Sequence, residues 1–222
     1  MPNWCDNEVH ITFKNKEERD EFVKKAQCNE SAVPFTFQNF VPMPECLVGT
    51  TSPHRDSEAF LQTLNKSYET SYSSLKEILS SKILNDWDLG IVEGLILNLK
   101  AFEQTGYHDW YDWCVTNWGT KWDAHNPEVS YIGVDPCYVK FNLTTAWDYP
   151  ISFFNKLVAM YPTAEFHFDL GSMENDTFFE AEGLEGDFYI THEYSDFREA
   201  IEDGKFGGVD NWQFLFEEEE SA

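Results

Sequence analysis

Six histidines (His10, His54, His108, His125, His167, His192) and five cysteines (Cys5, Cys28, Cys46, Cys114, Cys137) give this 222-residue chain its widest range of acid–base, nucleophilic and metal chemistry. Their spacing supports little of it. No two histidines stand in an HxH or HxxxH pattern, no CxxC occurs, and the cysteine count is odd, so a zinc site of the usual spacing is not expected. Cys114 has no triad motif around it, and Gly204 to Gly208 lacks the lysine–hydroxyl pair of a phosphate loop. His108-Asp109 and His125 bracket a tryptophan-rich stretch and, with Asp123, form the one grouping in which a metal or general-base role is conceivable. Such loose sets arise readily by chance. The reading is of no catalytic residue, no metal and no cofactor.

Aromatic and amide side chains offer a second kind of chemistry. The chain opens Met-Pro-Asn-Trp-Cys-Asp-Asn, and Asn117-Trp118-Gly119-Thr120-Lys121-Trp122 follows a hundred residues later. An indole can stack on a ligand, an amide can read its edge, and a lone cation beside indoles can hold an anion or base. Asn3, Trp4, Trp118, Lys121 and Trp122 are therefore the candidate ligand-binding residues. Packing competes with that role and is favoured: Trp110, Trp113 and Trp118 would fill the core, Trp4 would approach the same core, and Lys121 would pair with Asp112 or Asp123.

Charge is the other strong signal. Fifteen Lys and Arg face 40 Asp and Glu, a net −25, and residues 151–222 contribute 3 basic and 18 acidic groups to it. Such a field repels nucleic acid and anionic lipid and attracts basic surfaces. Glu180, Glu182, Glu185, Asp187, Glu199, Glu202 and Asp203 fall on a predicted hairpin and helix and are the candidate partner-binding residues. Solubility alone is the competing explanation. No basic-then-apolar leader opens the chain, and the apolar stretch around Ile91–Leu99 is broken by Glu93 and Asn98, so no membrane contact is expected and a cytoplasmic setting is.

These residues need a frame. Alternation over 8–13 predicts a strand, helical spacing over 16–28 a helix, and Phe35, Phe37 and Phe40 a short second strand ended by Pro42. Residues 57–118 show apolar groups three or four apart and predict a helical insertion, a lid or a second small layer, with Gly106 as a C-cap. Strand signals return at 129–134, 138–145 and 164–170, with a helix at 151–161. A hairpin over 177–191, a short helix over 197–201, a last strand or docked segment over 211–216 and an acidic tail at Glu217–Glu220 complete the chain.

The opening heptapeptide, the Asn117–Trp122 motif and Thr145-Ala146-Trp147-Asp148-Tyr149-Pro150 resemble motifs of the plasmid- and phage-borne family named for the plasmid protein YubB and the phage protein Api92. The resemblance implies a ferredoxin-like βαββαβ fold without an iron–sulfur cluster, and it assigns no catalytic role to these positions. The expected architecture is thus α+β: one ferredoxin-like domain over 1–222 with an antiparallel sheet, a helical insertion at about 57–118 and an acidic C-terminal hairpin extension at about 171–222. Helices 16–28 and 151–161 would cover one face of the sheet. The expected function is that of a non-enzymatic phage or plasmid accessory protein in the bacterial cytoplasm. It would bind a basic host protein, not nucleic acid, and would counteract host defence by DNA mimicry. The alternative is a small-ligand or nucleotide-handling enzyme with a pocket near the Asn117–Trp122 motif.

Overall fold

A computed structural model describes residues 3–28, 33–131 and 135–216. Strand β1 (Trp4–Thr12) buries Cys5, Asn7, Val9 and Ile11 and turns Trp4, Asp6, Glu8 and His10 the other way. Helix α1 (Lys16–Ala26) comes next; the Asn15 side chain accepts from the Glu18 amide at its N-terminus, and Phe22, Val23 and Ala26 are its buried stripe.

The strand expected at 35–40 is absent. Phe37–Asn39 is a single 3₁₀ turn, and Phe35, Phe37 and Phe40 all point inward. The Asp123 carboxylate accepts from the Thr36 hydroxyl and the Phe37 amide, both at 2.6 Å, and so takes a backbone donor that a sheet ladder would have used.

Residues 57–117 are mainly helical, as the spacing predicted: α2 (Ser57–Ser67), α3 (Leu75–Ser81), α4 (Asp86–Thr105) and α5 (Trp110–Asn117). Asp56, Ser74 and Asn85 cap the first three, and Gly106 ends α4 in the left-handed region at φ 79°. Leu64, Leu75, Ile78, Val92, Leu95 and Ile96 form their own buried cluster. The chain divides into two compact units, one of residues 1–42 with 116–222 and one of residues 43–115.

The first unit holds an antiparallel six-stranded sheet. After β1 come β2 (His125–Ser130), β3 (Tyr138–Ala146), α6 (Ile151–Met160), β4 (Glu165–Ser172), β5 (Thr177–Leu184), β6 (Asp187–Glu193) and α7 (Phe197–Glu202). The spatial order is β2-β3-β1-β4-β5-β6, which puts β1 and β4 in the interior. β2 starts four residues before the expected 129–134, of which 132–134 lie outside the described residues, as does the run Glu217–Glu220. Pro127 sits in β2, where an edge strand tolerates the missing donor. The expected C-terminal hairpin is β5–β6, closed by Glu185 and Gly186, both at positive φ; it continues the sheet past β4. Residues 211–216 form 3₁₀ turns instead of a strand.

One sheet face is closed by phenylalanine. Phe22 of α1 and Phe153 and Phe154 of α6 meet Phe35, Phe37, Phe141 and Phe168, all fully buried. The opposite face is polar, and only part of it is covered. There Phe178, Phe197, Ala200 and Ile201 form a second cluster with Phe206 and Trp212 packed against it. Gly171 makes that docking possible, because a Cβ at this position would stand 2.5 to 2.9 Å from Phe206, Phe178 and Phe197.

Trp113 and Trp118 are buried, as predicted, whereas Trp110 is half-buried. Trp4 departs from its expected place: it lies on the polar sheet face and stacks on His125 at 4.5 Å. The alternation that buries Cys5 and Asn7 leaves no other side for it. Truncating Trp118 to alanine should cost about 3–5 kcal/mol in urea unfolding. The same change at Trp122, which is 41% exposed, should cost about 1 kcal/mol or less. Burial pushes the Cys5 thiol up to about 12, so Cys5 should resist thiol reagents at neutral pH until the chain is unfolded; labelling in the native state would contradict its placement.

Candidate functional site

The polar face of the sheet is where titratable side chains converge. The register sets Glu8 of β1 opposite Asp169 of β4 and His10 opposite His167, and it sets Asp169 opposite Glu180 of β5. On the other flank of β1, Lys140 of β3 is opposite His10 and Tyr138 is two residues along. Side chains directly across an antiparallel pair lie close enough to interact, so the neighbouring strands deliver one contiguous cluster.

Its contacts are specific. Lys140 Nζ is 2.6 Å from Glu8 Oε2. Lys205, carried in from the segment after α7, is 3.2 Å from Asp169 Oδ1 and also bonds Glu180. His167 Nε2 lies 3.3 Å from Asp169 Oδ1. His10 is held by its Nδ1, 2.5 Å from the Tyr138 hydroxyl, while its Nε2 faces Glu8 Oε2 at 3.5 Å and Asp169 Oδ2 at 3.8 Å. That Nε2 is buried and makes no hydrogen bond.

These neighbours set the electrostatics. Burial pulls the Asp169 carboxyl upward, but the hydrogen bond from His167 and the charges of Lys205 and His167 outweigh it and leave it below the ordinary carboxylate range. Glu8 behaves alike: burial raises it, and His10 and Lys140 bring it below its usual value. Burial and the charges of Glu8 and Asp169 push the Tyr138 phenol up, so it keeps its proton at neutral pH. Beside the cluster lies a cleft of about 250 Å³ whose lining includes Asp6, Glu8, Asn142, Thr144, Phe206 and Trp212. Among the described residues two sets of donors suit a metal ion, Glu8 with His10 and Asp169, and His167 with Asp169 and Glu180.

The residues singled out from the sequence are distributed differently. Trp118 is buried, and its indole Nε1–H donates to the Val41 carbonyl. Asn3 donates to Asn175, and the Trp4 amide donates to Glu174. Trp4 and Trp122 come within 6.4 Å, and Lys121 lies 4.6 Å over the Trp122 ring. Trp4, Lys121 and Trp122 thus gather at one end of the polar face, while Trp118 belongs to the packed interior. Among the acidic candidates, Glu180 is part of the cluster and Glu182 accepts from the Tyr189 hydroxyl at 3.4 Å. Glu185 and Asp187 are exposed at the hairpin turn. Glu199 accepts from Ser195, Glu202 is 3.5 Å from Arg198, and Asp203 is exposed at the end of α7. His108 and Asp109 lie in the second unit, where His108 stacks between His54 and Phe102.

Glu8, His10, Tyr138, Lys140, His167 and Asp169 belong to no sequence motif, yet a signal was present. Glu8-Val9-His10 and His167-Phe168-Asp169 alternate polar and apolar residues within recognisable strands, and such alternation puts each pair on a common face. What was missing was which strand lies beside which.

No family model and no curated protein matches the chain. Among solved structures it is similar to the protein Api92 from Yersinia pseudotuberculosis, of the family model DUF1281, at 11% identity and a TM-score of 0.46, over 88% of this chain and 99% of that one.

A group whose folded pKa is depressed stabilises the fold fully above its unfolded value and loses that contribution as pH falls through the folded value. Glu8 and Asp169 should therefore withdraw stability as pH drops below about 4. Urea unfolding of the Asp169→Asn variant should show a shallower loss of stability over that acid range than the wild type; equal slopes would contradict the ion-paired cluster.

Proposed function

We propose that this chain is a binding protein, not an enzyme, and that it engages a basic protein surface through the carboxylates of the β5–β6 hairpin and α7. One observation carries this reading. The two basic side chains between 171 and 216 are already committed: Arg198 faces Glu202 and lies over Phe216, and Lys205 joins Asp169 and Glu180. Among the described residues neither is paired with Glu185, Asp187, Glu193, Asp203 or Asp210, all exposed. An unopposed negative field speeds encounter with a positive surface and disfavours DNA. Exposed pairs add little to the monomer's own stability, which leaves these carboxylates free for that purpose.

The finer reading is an accessory protein of a phage or plasmid, acting in the bacterial cytoplasm and countering a host defence protein by occupying its nucleic-acid groove. Motif resemblance supports the provenance, and the sign and placement of the charge support the mimicry. We read β1, α1, β2, β3, α6 and β4 as a ferredoxin-like βαββαβ unit, supported by their antiparallel order β2-β3-β1-β4. Residues 57–118 are then an insertion in a single domain, and 171–222 its acidic extension. A second reading, small-ligand or nucleotide handling near the Asn117–Trp122 motif, is favoured by the Trp4–His125 stack and the half-exposed Trp122 with Lys121 above it.

Capture of a partner from bacterial lysate should weaken steeply with added salt, and duplex DNA should displace the partner. Replacing Glu199, Glu202 and Asp203 with lysine should slow association roughly tenfold while leaving unfolding unchanged. Direct DNA binding by the wild type, or capture indifferent to salt and DNA, would sink this reading.

A further inference from the structure

The geometry points to a site for a divalent transition-metal ion, zinc foremost, on the polar face of the sheet, with His10 Nε2, Glu8 and Asp169 as ligands and His167 beside them. The site is independent of the acidic docking face and would stand if that proposal fell.

Its frame is the cross-strand square. Glu8 and His10 share one face of β1, Asp169 and His167 share the same face of β4, and the register sets Glu8 against Asp169 and His10 against His167. Two imidazoles and two carboxylates thus occupy the corners of one patch. A set of this kind suits zinc and its first-row neighbours better than magnesium or calcium, which prefer oxygen donors alone.

Distances favour a metal over a proton as the occupant. The Nε2 of His10 is 3.5 Å from Glu8 Oε2 and 3.8 Å from Asp169 Oδ2. Both are too long for a charged N–H to carboxylate hydrogen bond, which runs at about 2.7–2.9 Å. Ligand atoms bound to one tetrahedral zinc at about 2.0–2.2 Å stand roughly 3.4 Å from one another. The donor atoms of Glu8, His10 and Asp169 all lie within 4.8 Å of each other, so a small closure completes the site.

The second observation is the state of His10 itself. Its Nε2 is buried between the two carboxylates, at 3.5 and 3.8 Å, without a well-formed hydrogen bond to either, while Nδ1 is fixed by the Tyr138 hydroxyl at 2.5 Å. A metal-binding histidine is held in this way, its far nitrogen donating to an outer partner that sets the tautomer and the ring plane. In the bound form Nδ1–H donates to the phenol oxygen and the Nε2 lone pair faces the ion. Lys205 engages Asp169 through Oδ1, so Oδ2 remains directed at His10. Glu8, Asp169 and Glu180 outnumber Lys140 and Lys205 by one, which leaves a negative field that favours a cation, and Lys140, now on the Glu8 oxygen that faces His10, gives that oxygen up to the ion.

The test is titration of the chelator-treated full chain with zinc, read by calorimetry and by NMR of the histidine ring nitrogens. One ion per chain should bind, shift the Nε2 resonance of His10 while Nδ1 stays protonated, and leave His54 and His192 unmoved. Affinity should fall at least tenfold in His10→Gln and in Asp169→Asn, and stay unchanged in His192→Gln. The ring-nitrogen readout uses the wild type, so it decides the matter even if a variant folds poorly. Absence of binding, binding that leaves the His10 ring unperturbed, or wild-type affinity in a folded His10→Gln chain would overturn the proposal.

Discussion

Strand β1 is hydrogen-bonded on both sides, to β3 and to β4, and its register with those two neighbours is the constraint on which the first unit depends. A period of two then leaves every residue of β1 no choice of side. Cys5, Val9 and Ile11 go to the phenylalanine core, and Trp4, Asp6, Glu8 and His10 go to the opposite face. A slip of one residue would bury Glu8 and His10 among aromatic rings and expose Val9 and Ile11, an exchange no hydrogen bond in the ladder could offset. The apolar face therefore fixes the polar one.

The polar face in turn constrains the C-terminal segment. Asp169 is 7% exposed, and a buried carboxylate demands a partner. His167 supplies one from the same strand and Lys205 another from beyond α7. That second contact draws the C-terminal segment across the sheet, where Gly171 leaves room for Phe206 and Phe197. Charge pairing and aromatic packing thus hold one segment by two independent means. The carboxylates of α7 that remain outside this network stay at the surface. Acidity is consequently divided into two kinds, an internal cluster held by lysine and histidine, and an external set in which, among the described residues, Arg198 pairs with Glu202.

Much of this was legible in the sequence because local physics decided it. Alternation marked β1, β3 and β4, three-and-four spacing marked the helices of 57–117, and Gly106 marked a helix end. Phe35, Phe37 and Phe40 misled because their inward direction comes from a 3₁₀ turn pinned by Asp123, eighty-odd residues away. Trp4 misled because indole burial was taken to mean the main core, when stacking on His125 half-covers it on the other side. The Glu8–His10–His167–Asp169 cluster was out of reach for a different reason. Each half is an ordinary strand dipeptide pattern, and only the pairing of β1 with β4, more than 150 residues apart, turns two unremarkable patterns into one site.

That pairing is open to direct observation. Backbone NOEs from the labelled full chain should join Glu8 to Asp169 and His10 to His167 across β1 and β4, and Val9 to Phe168 between them. The account requires this register, since it alone puts two histidines and two carboxylates on one face. Cross-strand NOEs that set Val9 opposite Asp169, or that seat a different strand beside β1, would contradict it.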